Sequence, residues 1–206
     1  MNTTTTAKRR YRGTGVEERK AERRQLLIDA ATEVYGRNGY RHSGVKQVCD
    51  AAGLTQRYFY ESFSHSDELL IACYEQAARR LREENADAAQ AAGISPAARS
   101  KAMLLAYFQS LKDKPLIARL LLIEIRGISP AVDCAIDEAL KATSDDMARM
   151  FTSPGQKTDL SDELLLAGVL GGVIHIALHW MATQYRAPVE EVVETAFKLS
   201  GSLLEV

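Results

Sequence analysis

The sequence has few of the residues that interrupt helices or build strands. It contains only 5 Pro and 13 Gly, a single Trp, and 7% aromatic residues over 206 positions. No segment alternates apolar and polar residues in the way that marks a half-buried strand. Ala, Leu, Glu and Arg, which favour helix, are abundant. The composition therefore argues against a sheet-based fold and predicts an all-α protein.

Cysteine is also scarce. Cys49, Cys73 and Cys134 are odd in number, widely spaced and without a CxxC pair, which argues against a disulfide framework or a zinc site. We expect small, buried or half-buried thiols and no metal or other cofactor. His175 and His179 lie four residues apart, as zinc ligands on one helix face can. Interface histidines are the favoured interpretation of this pair, and a metal site is the alternative.

A leader segment is lacking as well. The N-terminus is polar and basic without an apolar stretch, so we expect no signal peptide and a cytoplasmic protein. The longest apolar run, Leu164 to Ala182, approaches the roughly 20 residues of a membrane helix. Three glycines and two histidines interrupt it. A helix buried on two sides is the favoured interpretation, and a membrane span is the alternative.

Charge is distributed unevenly along the chain. Residues 1–65 contain 12 Lys+Arg and 7 Asp+Glu, a net charge of +5, whereas residues 66–206 contain 14 and 20, a net charge of −6. This asymmetry indicates that the N-terminal part meets a polyanion and the remainder does not. A basic tail in solvent would give a similar count, so charge alone does not decide the function.

Helix start and stop signals predict about nine helices. Thr14 with Glu17, and Ser64 with Asp67, fit capping boxes, and Ser43 is a suitable N-cap for the second helix. The predicted helices span 14–35, 44–52, 56–62, 66–90, 96–111, 115–127, 130–151, 161–185 and 188–204. We expect a disordered basic arm over 1–13 and two domains, 14–65 and 66–206.

The second and third predicted helices form a helix-turn-helix. Gly53 in the turn Gly53-Leu54-Thr55 suits a left-handed residue that ends a helix. Apolar packing would lock the two helices together through Val48, Ala51, Ala52, Leu54, Phe59 and Phe63. The outer side chains of the second helix would then face the major groove, where Gln and Arg can make bidentate contacts with bases. The candidate DNA-binding residues are Ser43, Gly44, Lys46, Thr55, Gln56, Arg57, Tyr58, Tyr60 and His65.

From about Gln25 to Leu70 the chain resembles the N-terminal domain of the tetracycline-repressor-like (TetR) family. The resemblance rests on LLIDAATEVYGRNGY, on Ser43, Val45 and Val48, on AAGLT at 51–55, on Phe59-Tyr60 and Phe63, and on DELL at 67–70. Beyond residue 70 only the layout is similar. The resemblance implies a homodimeric, DNA-binding transcriptional regulator, not an enzyme, with a helix-turn-helix domain followed by a helical ligand-binding and dimerisation domain.

The resemblance also implies roles for single residues. Tyr60 would contact phosphate, and Gln56, Arg57 and Tyr58 would face bases. His65 lies where the family usually has a lysine, and a largely neutral imidazole would make that contact weaker or pH-sensitive. Arg57 lies where many members have glycine. Cys49 replaces a usual alanine; packing is the favoured role and a redox sensor is the alternative.

The last two predicted helices are the candidates for the dimer surface. Gly168, Gly171 and Gly172 each cost the eighth helix about 1 kcal/mol relative to Ala, which close approach of another helix would offset. With Val193, Phe197 and Leu203 on the last helix, they suggest a four-helix bundle across a two-fold axis. The alternative is that the glycines only relieve crowding inside one subunit.

The helices between Ser95 and Phe151, with the eighth helix, are the candidates for a ligand pocket. Met and aromatic side chains adapt to apolar ligands, although at helical spacing they also form ordinary core. The candidate lining residues are Met103, Tyr107, Phe108, Leu122, Met147, Phe151, Ile174 and Trp180. Glu124 and Arg126 would read polar ligand groups, pair with neighbours or face solvent.

The favoured function is a repressor that binds a palindromic operator as a dimer and is released by a small, apolar effector. A constitutive DNA-binding dimer without an effector is one alternative. A helical enzyme or carrier is another, but the sequence shows no nucleophile–base set, phosphate-binding glycine loop or paired carboxylates in an apolar setting.

Overall fold

The computed structural model describes the backbone of residues 5–151 and 160–201 and the side chains of residues 15–148 and 163–201. Over these ranges the chain is all-α, as predicted, with nine α-helices. They are α1 (Thr5–Asn38), α2 (Val45–Ala52), α3 (Gln56–Tyr60), α4 (Ser66–Ala91), α5 (Pro96–Asp113), α6 (Pro115–Arg119), α7 (Pro130–Phe151), α8 (Leu160–Ala182) and α9 (Val189–Ser200). A 3₁₀ turn, Tyr40–His42, precedes α2, and a π-helical segment, Leu120–Glu124, continues α6.

Helix α1 begins well before the predicted capping box. Thr14 lies inside the helix, and the part of the predicted disordered arm that the structure describes, from Thr5 onward, is helical. Ala, Lys and Arg in this segment are good helix formers, and no proline interrupts it. The helix ends at Asn38 because Gly39 follows with a positive φ of 84°, which glycine adopts at little cost.

The start of α4 also differs from the predicted Ser64–Asp67 box. The N-cap is His65, whose Nδ1 accepts from the Glu68 N–H at 3.4 Å. The Glu68 carboxylate accepts at 2.6 Å from the N–H of Ser64, the residue before the cap, so the two contacts resemble a capping box without being fully reciprocal. Asp67 instead accepts from the Tyr40 hydroxyl at 2.5 Å, which ties α4 to the turn before α2.

One hydrophobic core runs through the molecule. In the N-terminal part, α1 packs on α2, α3 and α4. Further along the chain, α5, α7 and the π-helical segment pack on α4, α8 packs on α5 and α7, and α9 packs on α5 and α8. The largest side chains that are fully buried are Tyr35, Phe59, Phe108, Leu27, Leu69, Leu70, Leu111, Leu120 and Ile125. Because α4 contributes to both parts, it connects the helix-turn-helix rigidly to the C-terminal helices.

A polar junction lies beside this connection. The Glu124 carboxylate accepts from the Tyr40 N–H at 3.1 Å and from Arg119 Nε at 2.8 Å. Its side chain is only 14% exposed, and a Cβ on Gly39 would lie 2.9 Å from Glu124 Oε2. Arg119 also donates to the Arg37 carbonyl at 3.2 Å. Glu124 therefore pairs within the protein, and the π-helical segment holds the end of α1 and the turn before α2.

Helix α8 is long and apolar enough to cross a membrane by length and composition, with a mean hydropathy of 1.9 over Glu163–Ala182. Leu166, Val169, Val173, Ala177 and Trp180 form its buried stripe. The opposite stripe is exposed in the single chain and consists of Leu164, Ala167, Gly168, Gly171, His175, His179 and Ala182. The predicted burial on two sides is therefore not reached within one subunit.

Candidate nucleic-acid interface and inner cavity

The predicted turn between α2 and α3 is present. Gly53 has a left-handed conformation with φ of 65° and ψ of 28°, and the Leu54 N–H donates to the Cys49 carbonyl at 2.9 Å. Phe59 is fully buried, and its ring centroid lies 5.8 Å from that of Phe63. Ala51, predicted to pack inward, is exposed, because the register of α2 turns Val48 and Cys49 to the core instead.

The candidate DNA-binding residues share one surface around this motif. Exposed members are Gly44, Lys46, Thr55, Gln56, Arg57, Tyr60 and His65, and Ser43 and Tyr58 are half-buried. Tyr60 has 61% of its surface exposed although it is a large aromatic residue. The surface thus presents amide, guanidinium, ammonium and phenol donors, which are the groups that contact phosphates and base edges.

Two of these side chains, Tyr58 and Arg57, have partners within the protein. The Arg23 guanidinium lies 4.5 Å above the Tyr58 ring and 3.6 Å from Glu61 Oε2. Arg57 Nε donates to Glu61 Oε1 at 3.1 Å. Glu61 therefore bridges Arg23 and Arg57, and the side chain predicted to read bases is partly neutralised by a neighbour one turn along.

The start of α2 is organised by backbone contacts. The N-cap is Gly44, not Ser43, and its N–H donates to Gln47 Oε1 at 2.9 Å. Ser43 Oγ donates backward to the Gly39 carbonyl at 2.7 Å. Ser43 is thus engaged in closing the preceding turn, and its hydroxyl does not cap α2.

Cys49 fits a packing role. It is 1% exposed, and burial raises the pKa of its thiol, with a further contribution from Asp50. A buried thiol with a raised pKa holds little thiolate and reacts slowly, so the geometry favours packing over redox sensing.

An inner cavity of about 110 Å³ lies between α4, α5, α7 and α8. Five predicted pocket residues line it, namely Met103, Tyr107, Leu122, Met147 and Ile174. Lining residues that the sequence prediction missed include Tyr74, Leu81, Arg82, Asn85, Thr143 and Leu170. Those on α4 were missed because the pocket was expected only among the helices between Ser95 and Phe151 and the eighth helix.

Three other predicted pocket residues are not seen at the cavity. Phe108 and Trp180 are almost fully buried, and their rings meet edge to face with centroids 5.8 Å apart. Trp180 Nε1 donates to the Ala187 carbonyl at 2.9 Å, which turns the indole toward the loop before α9. The Phe151 side chain lies outside the described residues.

An outer cavity of about 220 Å³ adjoins the inner one. The two share Arg82, Asn85, Met103, Thr143 and Met147, and the outer one adds Arg99 and Asp146. Arg82 Nε donates to Asp146 Oδ2 at 2.7 Å. The pair of cavities therefore passes from an apolar interior to a charged mouth.

A third cavity, of about 260 Å³, lies between α1, α4, α5 and α6. Its polar groups bind one another: Gln76 donates to Asp29 at 3.2 Å, and Ser110 donates to Glu84 at 3.0 Å. Lys114 also pairs with Glu84 and holds the pKa of that carboxyl below its usual value. This cavity is larger, but its polar lining is already satisfied.

The two histidines of α8 lie on the exposed stripe of that helix. Within the described residues, no three His, Cys, Asp or Glu side chains are grouped so as to hold a metal ion. Arg126 is exposed and borders a surface cleft with Leu140, His175 and Leu178, so it does not reach the inner cavity.

Comparison with known proteins finds a family match in the N-terminal part of the chain. Residues 27–73 match the family model described as "Bacterial regulatory proteins, tetR family", which covers α2, α3 and the adjoining parts of α1 and α4. No curated protein matches the chain in sequence. The matched segment contains the helix-turn-helix and most of the candidate DNA-binding surface.

Solved structures share the fold over almost the whole chain. The fatty acid degradation regulator FadR from Bacillus halodurans is 19% identical with a TM-score of 0.74, covering 88% of this chain and 94% of its own. FadR from Bacillus subtilis, solved in complex with stearoyl-CoA, is 20% identical with a TM-score of 0.73, covering 85% and 96%. A TetR-like transcriptional regulator from Rhodococcus sp. RHA1 is 19% identical with a TM-score of 0.69, covering 89% and 96%.

The family match over residues 27–73 agrees with the sequence prediction for this segment, which resembles the N-terminal domain of tetR-family regulatory proteins, and the rest of the chain shares its fold with the solved regulators.

Proposed function

We propose that the protein is a cytoplasmic repressor that binds a palindromic operator as a homodimer and is released by a small, largely apolar effector. The observation that carries this proposal is the pairing of an exposed helix-turn-helix surface with a separate, largely apolar cavity in the C-terminal helices. Two distinct sites are the minimum that control of DNA binding by a ligand requires.

The exposed stripe of α8 supports a dimer. A Cβ on Gly172 would lie 2.5 Å from Leu199 Cδ2, so contact with α9 inside one subunit accounts for this glycine. Among the described residues, no atom lies within 4 Å of such a Cβ on Gly168 or Gly171. The described residues therefore give no compensation for their cost in helix propensity, and the close approach of a second α8 would supply it.

The dimer is tested by Gly171→Leu, because a Cβ there meets no atom of the described residues, whereas a leucine side chain would block close approach of a partner. We expect wild-type protein to sediment as a dimer and the variant as a folded monomer that no longer binds operator DNA tightly. Ala131→Leu, an exposed small-to-large change on α7, is the matched control. A variant that stays dimeric would rule out this stripe as the interface.

Ligand control would act through the π-helical segment. Leu121 and Leu122 line the inner cavity, and Glu124 in the same segment holds the Tyr40 N–H just before α2. An effector that favours one arrangement of this segment would thereby shift the helix-turn-helix of each subunit. The stearoyl-CoA complex of the B. subtilis neighbour shows that this fold can accept an acyl ligand.

Operator binding is tested by selecting bound sequences from a pool of random duplexes at two salt concentrations. We expect an enriched palindrome and an affinity that falls steeply as salt rises, because basic side chains release counterions from DNA. Weak, salt-dependent binding without an enriched sequence would contradict the proposal.

Release is tested separately on the selected operator. Candidate effectors that bind the protein should weaken its operator affinity. Ligands that bind without changing operator affinity would favour a constitutive DNA-binding dimer.

A further inference from the structure

The inner cavity contains polar atoms that lack partners. Within the described residues, the Tyr107 hydroxyl and Asn85 Oδ1 are buried from solvent and make no hydrogen bond. Both side chains line a cavity whose surface is otherwise mostly apolar. An unsatisfied buried polar atom is costly, and polar atoms that converge on an apolar cavity are the usual means of orienting a ligand.

The Tyr107 hydroxyl is available as a donor. Burial raises the pKa of Tyr107, and the neighbouring Tyr74 raises it further, so the phenol remains protonated at physiological pH. A protonated phenol best satisfies itself by donating to an oxygen acceptor. The Asn85 amide can then donate or accept, since its two ends are interchangeable by rotation.

A second kind of polar atom without a partner lies at the mouth of the cavity. Arg99 Nε is buried without a hydrogen-bond partner within the described residues, and Arg99 lines the outer cavity beside Arg82. Arg82 is already paired with Asp146. Arg99 Nε is therefore a buried donor at the mouth without a partner among the described residues, and an anion is the ligand group that best satisfies it.

The positions of Tyr107, Asn85 and Arg99 favour a ligand with an apolar part and an anionic end. We infer that the effector is an amphipathic acyl compound: its apolar chain occupies the inner cavity, an acyl oxygen accepts from Tyr107, and its anionic end lies at Arg99. The shared chemistry fits both a free carboxylate and the thioester of an anionic carrier. This inference rests on the proposed ligand response and replaces a purely apolar effector with an anionic one.

The test measures direct binding to the full-length protein by calorimetry, using decanoate, decanoyl-CoA and decanol. We expect at least one anionic probe to bind about tenfold or more tightly than decanol, because a charge-assisted hydrogen bond is added. Tighter binding of decanoate or of decanoyl-CoA identifies the source of the anion. Decanol binding as tightly as both anionic probes, or no binding by either anionic probe, would overturn the inference.

Variants locate the two contacts. Arg99→Gln should weaken the anionic probe about tenfold and leave decanol unchanged, whereas Arg79→Gln, an exposed change on α4, should alter neither. Tyr107→Phe should weaken the same probe several-fold while leaving the ligand-free protein at least as stable, since it removes an unpartnered hydroxyl. Equal loss of decanol and anionic probe in Arg99→Gln would assign that residue a merely structural role.

The outcomes for the site and for regulation are distinguishable. Anionic probes that bind with this variant pattern but leave operator affinity unchanged would retain the ligand assignment and refute the ligand response. Release of the operator by an apolar molecule, unaffected by Arg99→Gln or Tyr107→Phe, would retain the response and refute the assignment.

Discussion

The two ends of the molecule place their polar side chains in opposite ways. Around α2 and α3 the interior is apolar and closely packed, with Phe59 and Val48 fully buried, and the polar side chains face outward. In the C-terminal helices, Tyr107 and Asn85 place polar atoms inside a cavity. The contrast matches the size of the proposed partners, because DNA would contact an outer surface and a small molecule would be enclosed.

The largest expected effect tests the close packing of the DNA-binding end. Phe59→Ala should destabilise the protein by about 3–5 kcal/mol, because it removes a fully buried ring and leaves a void. Leu122→Ala, beside the existing cavity, should cost closer to 2 kcal/mol, since fewer contacts are lost. Urea unfolding of both variants measures the difference. Equal losses would mean that the cavity is filled or collapsed in solution.

The next effect tests the outward face. Gln56→Ala should cost about 1–3 kcal/mol of operator affinity and relax the preference for one base pair. Lys46→Ala should instead weaken binding to all sequences and lower by about one the number of counterions released on DNA binding. Binding to operator and single-base variants at several salt concentrations separates the two. Uniform weakening by Gln56→Ala would remove it from the base-reading set.

A smaller effect concerns the joint between the two ends. Tyr40→Phe should cost about 1.5 kcal/mol at neutral pH, because it removes a hydrogen bond to the Asp67 carboxylate. That bond lowers the pKa of Asp67, so its stabilisation is present above the ordinary carboxyl pKa and is lost as the pH falls through the lower folded value. Unfolding at pH 7 and in acid should therefore show the variant converging on wild type. A constant difference across pH would contradict the assigned partner.

The smallest effect concerns Glu61, which pairs with Arg57 and would therefore compete with DNA for that side chain. Glu61→Gln should strengthen DNA binding by about 0.2–1 kcal/mol, the range of an exposed ion pair, for operator and random duplex alike. Glu33→Gln, which removes a similar exposed pair with Arg37 on α1, is the control. Weaker binding by Glu61→Gln would show that the carboxylate positions Arg57 for DNA.

The local features of the fold could be predicted where one residue decides the geometry. Gly53 ends α2 in a left-handed conformation, and Ser95 with Pro96 starts α5, where Ser95 Oγ accepts from the Ala98 N–H at 3.5 Å. Prediction failed where neighbours compete. His65, and not Ser64, is the N-cap of α4. The Ser64 N–H donates instead to the Glu68 carboxylate.

The candidate site divides in the same way. The outward residues of α3 follow from helical periodicity and the position of the turn, and Gln56, Arg57 and Tyr60 are exposed as expected. The cavity depends on how four helices meet, which periodicity does not give. Phe108 and Trp180 were expected there, yet their edge-to-face contact places them in the core beside it.

The π-helical segment Leu120–Glu124 has a quantitative consequence for the effector concentration needed to release DNA. Because Leu122 faces the cavity and Glu124 holds the turn before α2, the proposed effector and the operator act on the same five residues. Thermodynamic reciprocity then requires DNA to weaken effector binding by the factor by which the effector weakens DNA binding. The effector level that clears an occupied promoter will exceed the level that saturates free protein, so the amount of regulator in the cell sets how early the controlled genes respond.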